Sequence, residues 1–525
     1  MKYCFRNKYN KDYTFKQIQS KDMKSIFTLD INISFAIFLT NRGFQNENKQ
    51  EQALKHAKEN RQELEKVLSY YKKDLTKLAA AQFLIENMPY HFTWEQYYTS
   101  SEKEKYKPDF TAFNGFQEVK KHCDSLACKE YRIETHNKYD ISTIDSRFLI
   151  ENIELAFNVW KKPWAKDISF MDFCRYILPY RVQYEEVSNL RKELMDRFLP
   201  LLNSANIKTP LDACIVLRNK IEKIVRSQDT GIDIYPTINE TYRSDIGTCD
   251  GLSNFMAYTM RSVGIPVTID QTTWVKMDRG HCWCAVLDNG HFQSFGENLA
   301  PCAHARSFSE TRSLRPAKVY RQRFDPIFTS DYRKNDDGYA VYLKSPLIQD
   351  VTTEYLDKPT TIKVAIYIDL KENKHSNQAY LCNFNYNKWT DIALGYRKDS
   401  ICYFNDVVGD NIFIVADVPD KNTQRFITAP FHINTEGEIQ KFIPQIQNRR
   451  SYTIHKRPEV YKEQHILSYW DTQNKSFIPL EYISETDTTL SYNNIPENAL
   501  LCLYIPIHMY NQRVFFLEKD SMRIY

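Results

Sequence analysis

Glycine is scarce, at 13 of 525 residues. No GxxxxGK[ST] loop and no GxGxxG run occurs, so the usual backbone cradle for a nucleotide phosphate is missing. Neither sign of charge is in excess: 70 Lys and Arg against 66 Asp and Glu leave a net charge of +4. A domain-wide basic field is thereby excluded, and no nucleic-acid partner is expected. Long apolar runs are absent too. Ile31 to Leu39 (INISFAIFL) is nine residues, against the roughly 20 that a membrane-spanning helix needs. No transmembrane helix is expected. The same run suits the apolar part of an export signal if translation begins at Met23, with Lys24 as positive flank. Asp30 interrupts that approach, however, and no A-x-A cleavage site follows. The 12 cysteines lack the regular spacing of a small disulfide scaffold, so they do not define a redox compartment.

The length is that of roughly three or four domains. Residues 1–45 read as a tail or possible export segment. Residues 46–230 read as a helical region: Leu64, Val67, Leu68 and Tyr71 fall at helical spacing, and a second run from Leu75 to Leu84 stops before Pro89. Phe83-Leu84-Ile85-Glu86-Asn87 recurs as Phe148-Leu149-Ile150-Glu151-Asn152, which suggests either a duplicated helical unit or two similar core helices. Between the two copies, Tyr97 to Asp140 reads as a loop region containing Cys123 and Cys128, a pair too sparse for a metal site. Thr209-Pro210 opens another helix, with Thr209 as its cap.

The basic stretch from Arg306 to Arg323 reads as a solvated linker in preference to an anion site. From Asp350 onward the apolar period changes to two, as at Ile362, Val364, Ile366 and Ile368. Lys388-Trp389, Phe404-Asn405-Asp406-Val407 and the run at Phe413 are echoed by Lys475 to Phe477, Tyr492-Asn493-Asn494-Ile495 and the run at Leu501, at an offset of 87 to 88 residues. That echo predicts two β-sandwich-like modules, 345–440 and 441–525. Trp389, Trp470 and Tyr386 are either a carbohydrate platform or sandwich core.

The chemically informative stretch is Gly247 to Pro301, within a core assigned to residues 231–330. Leu252, Phe255, Met256, Thr259 and Val263 mark one face of a helix that ends at Gly264. Thr248 is placed to cap it, which puts Cys249 in its first turn. A helix start favours the thiolate and offers free backbone N–H groups to an oxyanion. His281 opens a strand running to Leu287. A cysteine and a histidine so placed suit a thiolate–imidazolium pair for acyl transfer. Cys249, His281, Cys282, Cys284, Cys302 and His304 also include enough soft ligands for zinc. Strand alternation, however, sends Cys282 and Cys284 to one face and His281 to the other, so no metal site or cofactor is expected.

Gly247-Thr248-Cys249 with Ser253 and Phe255, then Arg261-Ser262-Val263-Gly264-Ile265-Pro266-Val267, then Gly280-His281-Cys282-Trp283 resemble the core of the transglutaminase-like superfamily, a papain-like cysteine fold. The overall plan is similar to multidomain envelope proteins of Bacteroides-like bacteria. The resemblance implies an α+β chain with a helical N-terminal region, a papain-like core and two C-terminal β-sandwich-like modules. It also implies a Cys-His-acid triad, a peptide or protein substrate with or without glycan, and a periplasmic or envelope location. Cys249 carries over as nucleophile and His281 as base. The family's third residue is an aspartate; here its place falls at Gly296 with Glu297 beside it, so Glu297 is the candidate, with Asp288 and Ser294 as alternatives. The implied function is cysteine-dependent acyl transfer or hydrolysis at an amide. The alternative is a catalytically silent surface protein that binds glycans or peptides through its β modules.

Overall fold

The computed structural model describes residues 46–525 except 222–225, 228–233, 245, 277–279, 296–314, 329–340, 356–359, 366–377, 386, 418–423, 456–464, 484–488, 505–512 and 520. Helices and strands both contribute heavily, and the chain is α+β. The first 45 residues lie outside the described set. Among the described residues no helix is long and apolar enough to cross a membrane.

The chain begins with three helices, α1 (Asn46–His56), α2 (Arg61–Tyr70) and α3 (Leu75–Asn87). Asp74 caps α3 by accepting from the Lys77 amide. The repeated pentapeptide closes α3 and recurs inside α5 (Ser146–Trp160). Its two asparagines differ: Asn87 bonds back to Phe83 within its own helix, whereas buried Asn152 ties Leu178 and Arg191 together. The shared residues therefore serve two helices in different ways.

Residues 92–139 correct the all-helical reading of 46–230. They form β1 (Phe92–Thr99), β2 (Lys105–Tyr106), α4 (Phe116–Cys128) and β3 (Arg132–Tyr139), with the strands in an antiparallel sheet ordered β2-β1-β3. Cys123 and Cys128 thus sit on a helix, not in a loop. The strands escape detection because β3 is exposed at nearly every position and carries no apolar alternation; its backbone ladder to β1 holds it in place.

After α5 come α6 (Phe170–Tyr176), α7 (Arg191–Ser204), α8 (Pro210–Ile221), β4 (Arg226–Ser227), α9 (Ile238–Ser244), β5 (Ile246–Gly247) and α10 (Cys249–Ser262). Thr209 caps α8 as expected, accepting from the Asp212 amide. The next strands are β6 (Val267–Trp274), β7 (Gly280–Asp288), β8 (His291–Phe295), β9 (Pro316–Gln322) and β10 (Ile348–Asp350), followed by the short helix α11 (Thr352–Tyr355). The five strands make an antiparallel sheet in the order β10-β9-β6-β7-β8.

Helix α10 is buried from Gly251 to Ser262, more completely than a one-faced amphipathic pattern predicts. Helices α5, α7 and α9 pack against it, and β6 and β7 meet it from the sheet. Burying side chains such as Leu252, Phe255 and Met256 contributes about 1.5–3 kcal/mol each. Arg261 is also buried; its guanidinium donates to the carbonyls of Val267 and Arg181. Gly264 ends the helix at φ +85°, where a Cβ would lie 2.8 Å from the Val159 carbonyl oxygen. The Ile265 amide closes the turn on Met260 O at 2.9 Å.

Strand β9 corrects the reading of the basic stretch as a solvated linker. Lys318 and Arg321 are buried and paired, Lys318 with Asp350 and Arg321 with Asp270 and Glu354. Arg306 and Arg312 lie outside the described residues. The stretch reads as solvent-facing because its partners, Asp270, Asp350 and Glu354, are distant in sequence.

From residue 360 on, the strands pair antiparallel. They are β11 (Thr360–Ala365), β12 (Gln378–Asn385), β13 (Lys388–Lys398), β14 (Ile401–Val407), β15 (Asn411–Asp417), β16 (Arg425–Phe426), β17 (Phe431–Ile433) and β18 (Ile439–Lys441). Then follow β19 (Gln445–His455), β20 (His465–Asp471), β21 (Ser476–Ile483), β22 (Thr489–Glu497), β23 (Leu501–Tyr504), β24 (Val514–Glu518) and β25 (Ser521–Ile524).

The first set orders as β11-β14-β13-β12-β15-β17-β18; the second as β19-β22 and β21-β20-β23-β24-β25. The same plan is written twice. A bulge at Leu381/Cys382 in the β12–β13 ladder returns at Leu467/Ser468 in the β20–β21 ladder. The echoed tetrapeptides share a backbone irregularity, with positive φ at Asp406 (50°) and Asn494 (65°).

Trp389 and Trp470 do not form a carbohydrate platform. Both are buried and meet edge to face, with ring centroids 5.7 Å apart in a shared core. Tyr386 lies outside the described residues.

Candidate active site

Thr248 stands just before α10 with extended backbone, and its hydroxyl accepts from the Gly251 amide at 3.1 Å. The cap fixes Cys249 in the first turn, where helix geometry leaves N–H groups without intrahelical partners. Cys249 opens on a cavity of about 350 Å³, together with Asp250, Gln271, His281 and Cys282. The opposite wall comes from β13, through Thr390, Asp391 and Ile392. The Tyr320 hydroxyl, donating to Ile392 O at 2.8 Å, ties that wall to β9.

The Cys249 thiol is held down to about 6. The largest cause is a hydrogen bond from Cys282, and His281 lowers it further by hydrogen bonding and charge; burial and the Asp250 carboxylate oppose both. Cys282 shows the converse. Its donation to Cys249, its burial and the nearby Asp250 carboxylate hold its proton on well above the usual thiol range. Cys282 Sγ lies 3.3 Å from Asp250 Oδ1, and Cys249 Sγ 3.8 Å from Asp250 Oδ2. One thiol thus remains a donor so that its neighbour can be an anion.

His281 is the second residue of β7, opposite Thr272 on β6. Its ring stacks on Trp274 at 5.7 Å and lies 5.9 Å from Trp283. Cys282 and Cys284 point instead toward α10, where Cys284 Sγ meets Ser253 O and the Ser253 hydroxyl donates to Cys282 O. Alternation does not separate these residues at the end of the strand: His281 and Cys282 both line the Cys249 cavity, and both hydrogen-bond the Cys249 sulfur.

A buried network braces the strand beneath. Asp270 accepts from two nitrogens of Arg321, Nε and Nη2, at 2.9 and 2.8 Å and from the Tyr355 hydroxyl at 2.6 Å. The Tyr355 hydroxyl in turn meets the Trp283 indole at 2.9 Å and Ser294 at 2.8 Å. Ser294 is thereby committed away from His281. Asp288 is too: it closes the β7–β8 turn, accepting from Asn289 and from the Leu211 amide. Seven residues of strand separate it from His281, about 23 Å at strand rise. Glu297 lies outside the described residues.

Three residues at the site went unassigned in the sequence: Asp250, Cys282 and Gln271. The first two are chain neighbours of the expected pair. Gln271 faces Cys282 across the β6–β7 ladder, and its Nε2 is buried with no hydrogen-bond partner among the described residues. The Cys249 and Cys282 sulfurs and an Asp250 oxygen all lie within 4.8 Å of one another. Two thiols and a carboxylate are donors zinc accepts, in a combination different from the one weighed in the sequence. Cys302 and His304 lie outside the described residues. No family model matches the chain, and no curated protein matches it.

Proposed function

We propose that the chain is a cysteine-dependent acyl-transfer enzyme acting on an amide of a peptide or protein, built on a papain-like core of the transglutaminase-like kind. The observation that carries this reading is a thiol held down to about 6 at the start of α10, sharing a cavity with an imidazole. In this mechanism the Cys249 sulfur attacks the amide carbonyl, and the α10 amides stabilise the oxyanion. His281 gives its proton to the departing nitrogen, leaving a thioester on Cys249. Water or an amine, deprotonated by His281, then releases the acyl group. Glu297 is the proposed orienter of His281. The β13 residues Thr390, Asp391 and Ile392 in the cavity wall support a role for the first C-terminal unit, proposed as a sandwich-like module, in selecting the substrate.

Acid quenching during incubation with a mixture of glutamine-containing and other short peptides tests this directly. Intact-mass measurement is expected to show an acyl adduct on Cys249 that hydroxylamine removes. The Cys249→Ala protein is expected to show none. A wild-type protein that never acquires an adduct from any peptide, while Cys249 still alkylates, would remove the enzyme reading.

A further inference from the structure

We infer that Cys249 and Cys282 form a dithiol modification site, which peroxide converts to a reversible disulfide across the junction of α10 and β7. This goes beyond the acyl-transfer reading and does not require catalysis. The two sulfurs lie within 4.8 Å of one another, and an oxygen of Asp250, the next residue of α10, lies 3.3 Å from the Cys282 sulfur. A disulfide needs them at about 2.05 Å, so the sulfurs must still approach. Both sit near the ends of their elements, Cys249 at the first residue of α10 and Cys282 at the third of β7.

Access and chemistry favour the same pair. The cavity of about 350 Å³ is lined by both cysteines, ample room for hydrogen peroxide. Cys249, held largely as thiolate at neutral pH, attacks one peroxide oxygen. The O–O bond breaks, leaving Cys249 sulfenic acid and hydroxide. Cys282 then attacks the sulfenic sulfur; the S–O bond breaks, and the departing hydroxyl takes the Cys282 proton and leaves as water, with Asp250, 3.3 Å from the Cys282 sulfur, placed to relay that proton. The hydroxide of the first step takes back from solvent the proton that Cys249 gave up as thiolate. In sum, two thiols and one peroxide give a disulfide and two waters: the sulfurs are oxidised and the peroxide is reduced. Cys282 in this role is the resolving thiol that keeps Cys249 from irreversible sulfinic acid.

The test uses the full chain in a chelator at about pH 9, where Cys249 is largely thiolate even without its Cys282 donor. Hydrogen peroxide is added stepwise, free thiols are blocked, and non-reducing digests are mapped by mass. The expected product is a cross-linked pair of peptides containing Cys249 and Cys282, with dithiothreitol restoring Cys249 labelling. Cys282→Ser is expected to lose recoverable Cys249 labelling at least about tenfold faster, through sulfinic acid. His281→Ala, inactive on the acyl-transfer reading, is expected to cross-link still, so the two proposals fail separately. The inference is overturned if no cross-link forms and wild type reaches sulfinic acid as fast as Cys282→Ser.

Discussion

Two cysteines in this chain each sit beside an aspartate, and they end in opposite states. Cys382, on β12, donates to Asp391 at 3.1 Å and is fully buried; burial first, then that carboxylate, pushes its thiol well above the usual range. Cys249 has Asp250 as its neighbour and is also largely enclosed, yet it is held down to about 6. The difference lies in what else reaches the sulfur. Cys382 receives the Gln424 side-chain amide at 3.4 Å and the Ala416 backbone amide, whereas Cys249 receives Cys282 and His281 at the positive end of a helix. An adjacent carboxylate does not decide a thiol's state; the donors opposing it do.

That contrast can be broken from either side. Cys249→Ala carries the largest expected effect, complete loss of the fast-reacting thiol and of any acyl adduct, read by intact mass. His281→Ala is expected to lower acyl-transfer turnover by about 10²–10⁴-fold, measured as peptide amide release, with retained circular dichroism showing that the fold survives. Cys282→Ala removes the largest lowering cause, so the Cys249 alkylation midpoint is expected to rise from about 6 toward the ordinary thiol value. At pH 6 the labelling rate then falls by up to about 10²-fold, on the order of the lost thiolate fraction. The smallest effect is expected at Cys382, where Asp391→Asn changes alkylation by less than about twofold because burial dominates. The same depression links stability to pH. Cys249's contribution is complete above its unfolded value of about 8.5 and declines as pH falls through about 6. Chemical denaturation at pH 9 and pH 5, compared with Cys249→Ala, measures it.

Much of the site was legible because it rests on local rules. Thr248 as cap, Cys249 in the first turn, Gly264 at the helix end and His281 at the start of its strand each follow from neighbours within a few residues. The C-terminal echo was legible for a similar reason: Asp406 and Asn494 mark a repeated left-handed backbone position that a sequence pattern can register. What stayed hidden depends on packing between distant elements. Cys282 gains its role only once β7 presents it to α10, and Asp391 joins the cavity from far along the chain. Strand β3 has no apolar face to announce it. Lys318 and Arg321 looked solvated because their partners lie on other elements.

The most direct measurement is the pH dependence of alkylation at each cysteine of the full chain, followed by peptide mass between about pH 5 and 9. A thiolate held at the start of α10 predicts that Cys249 reacts fastest, with a midpoint near 6. A Cys249 rate that rises only above about pH 8, as for an unperturbed thiol, would contradict it.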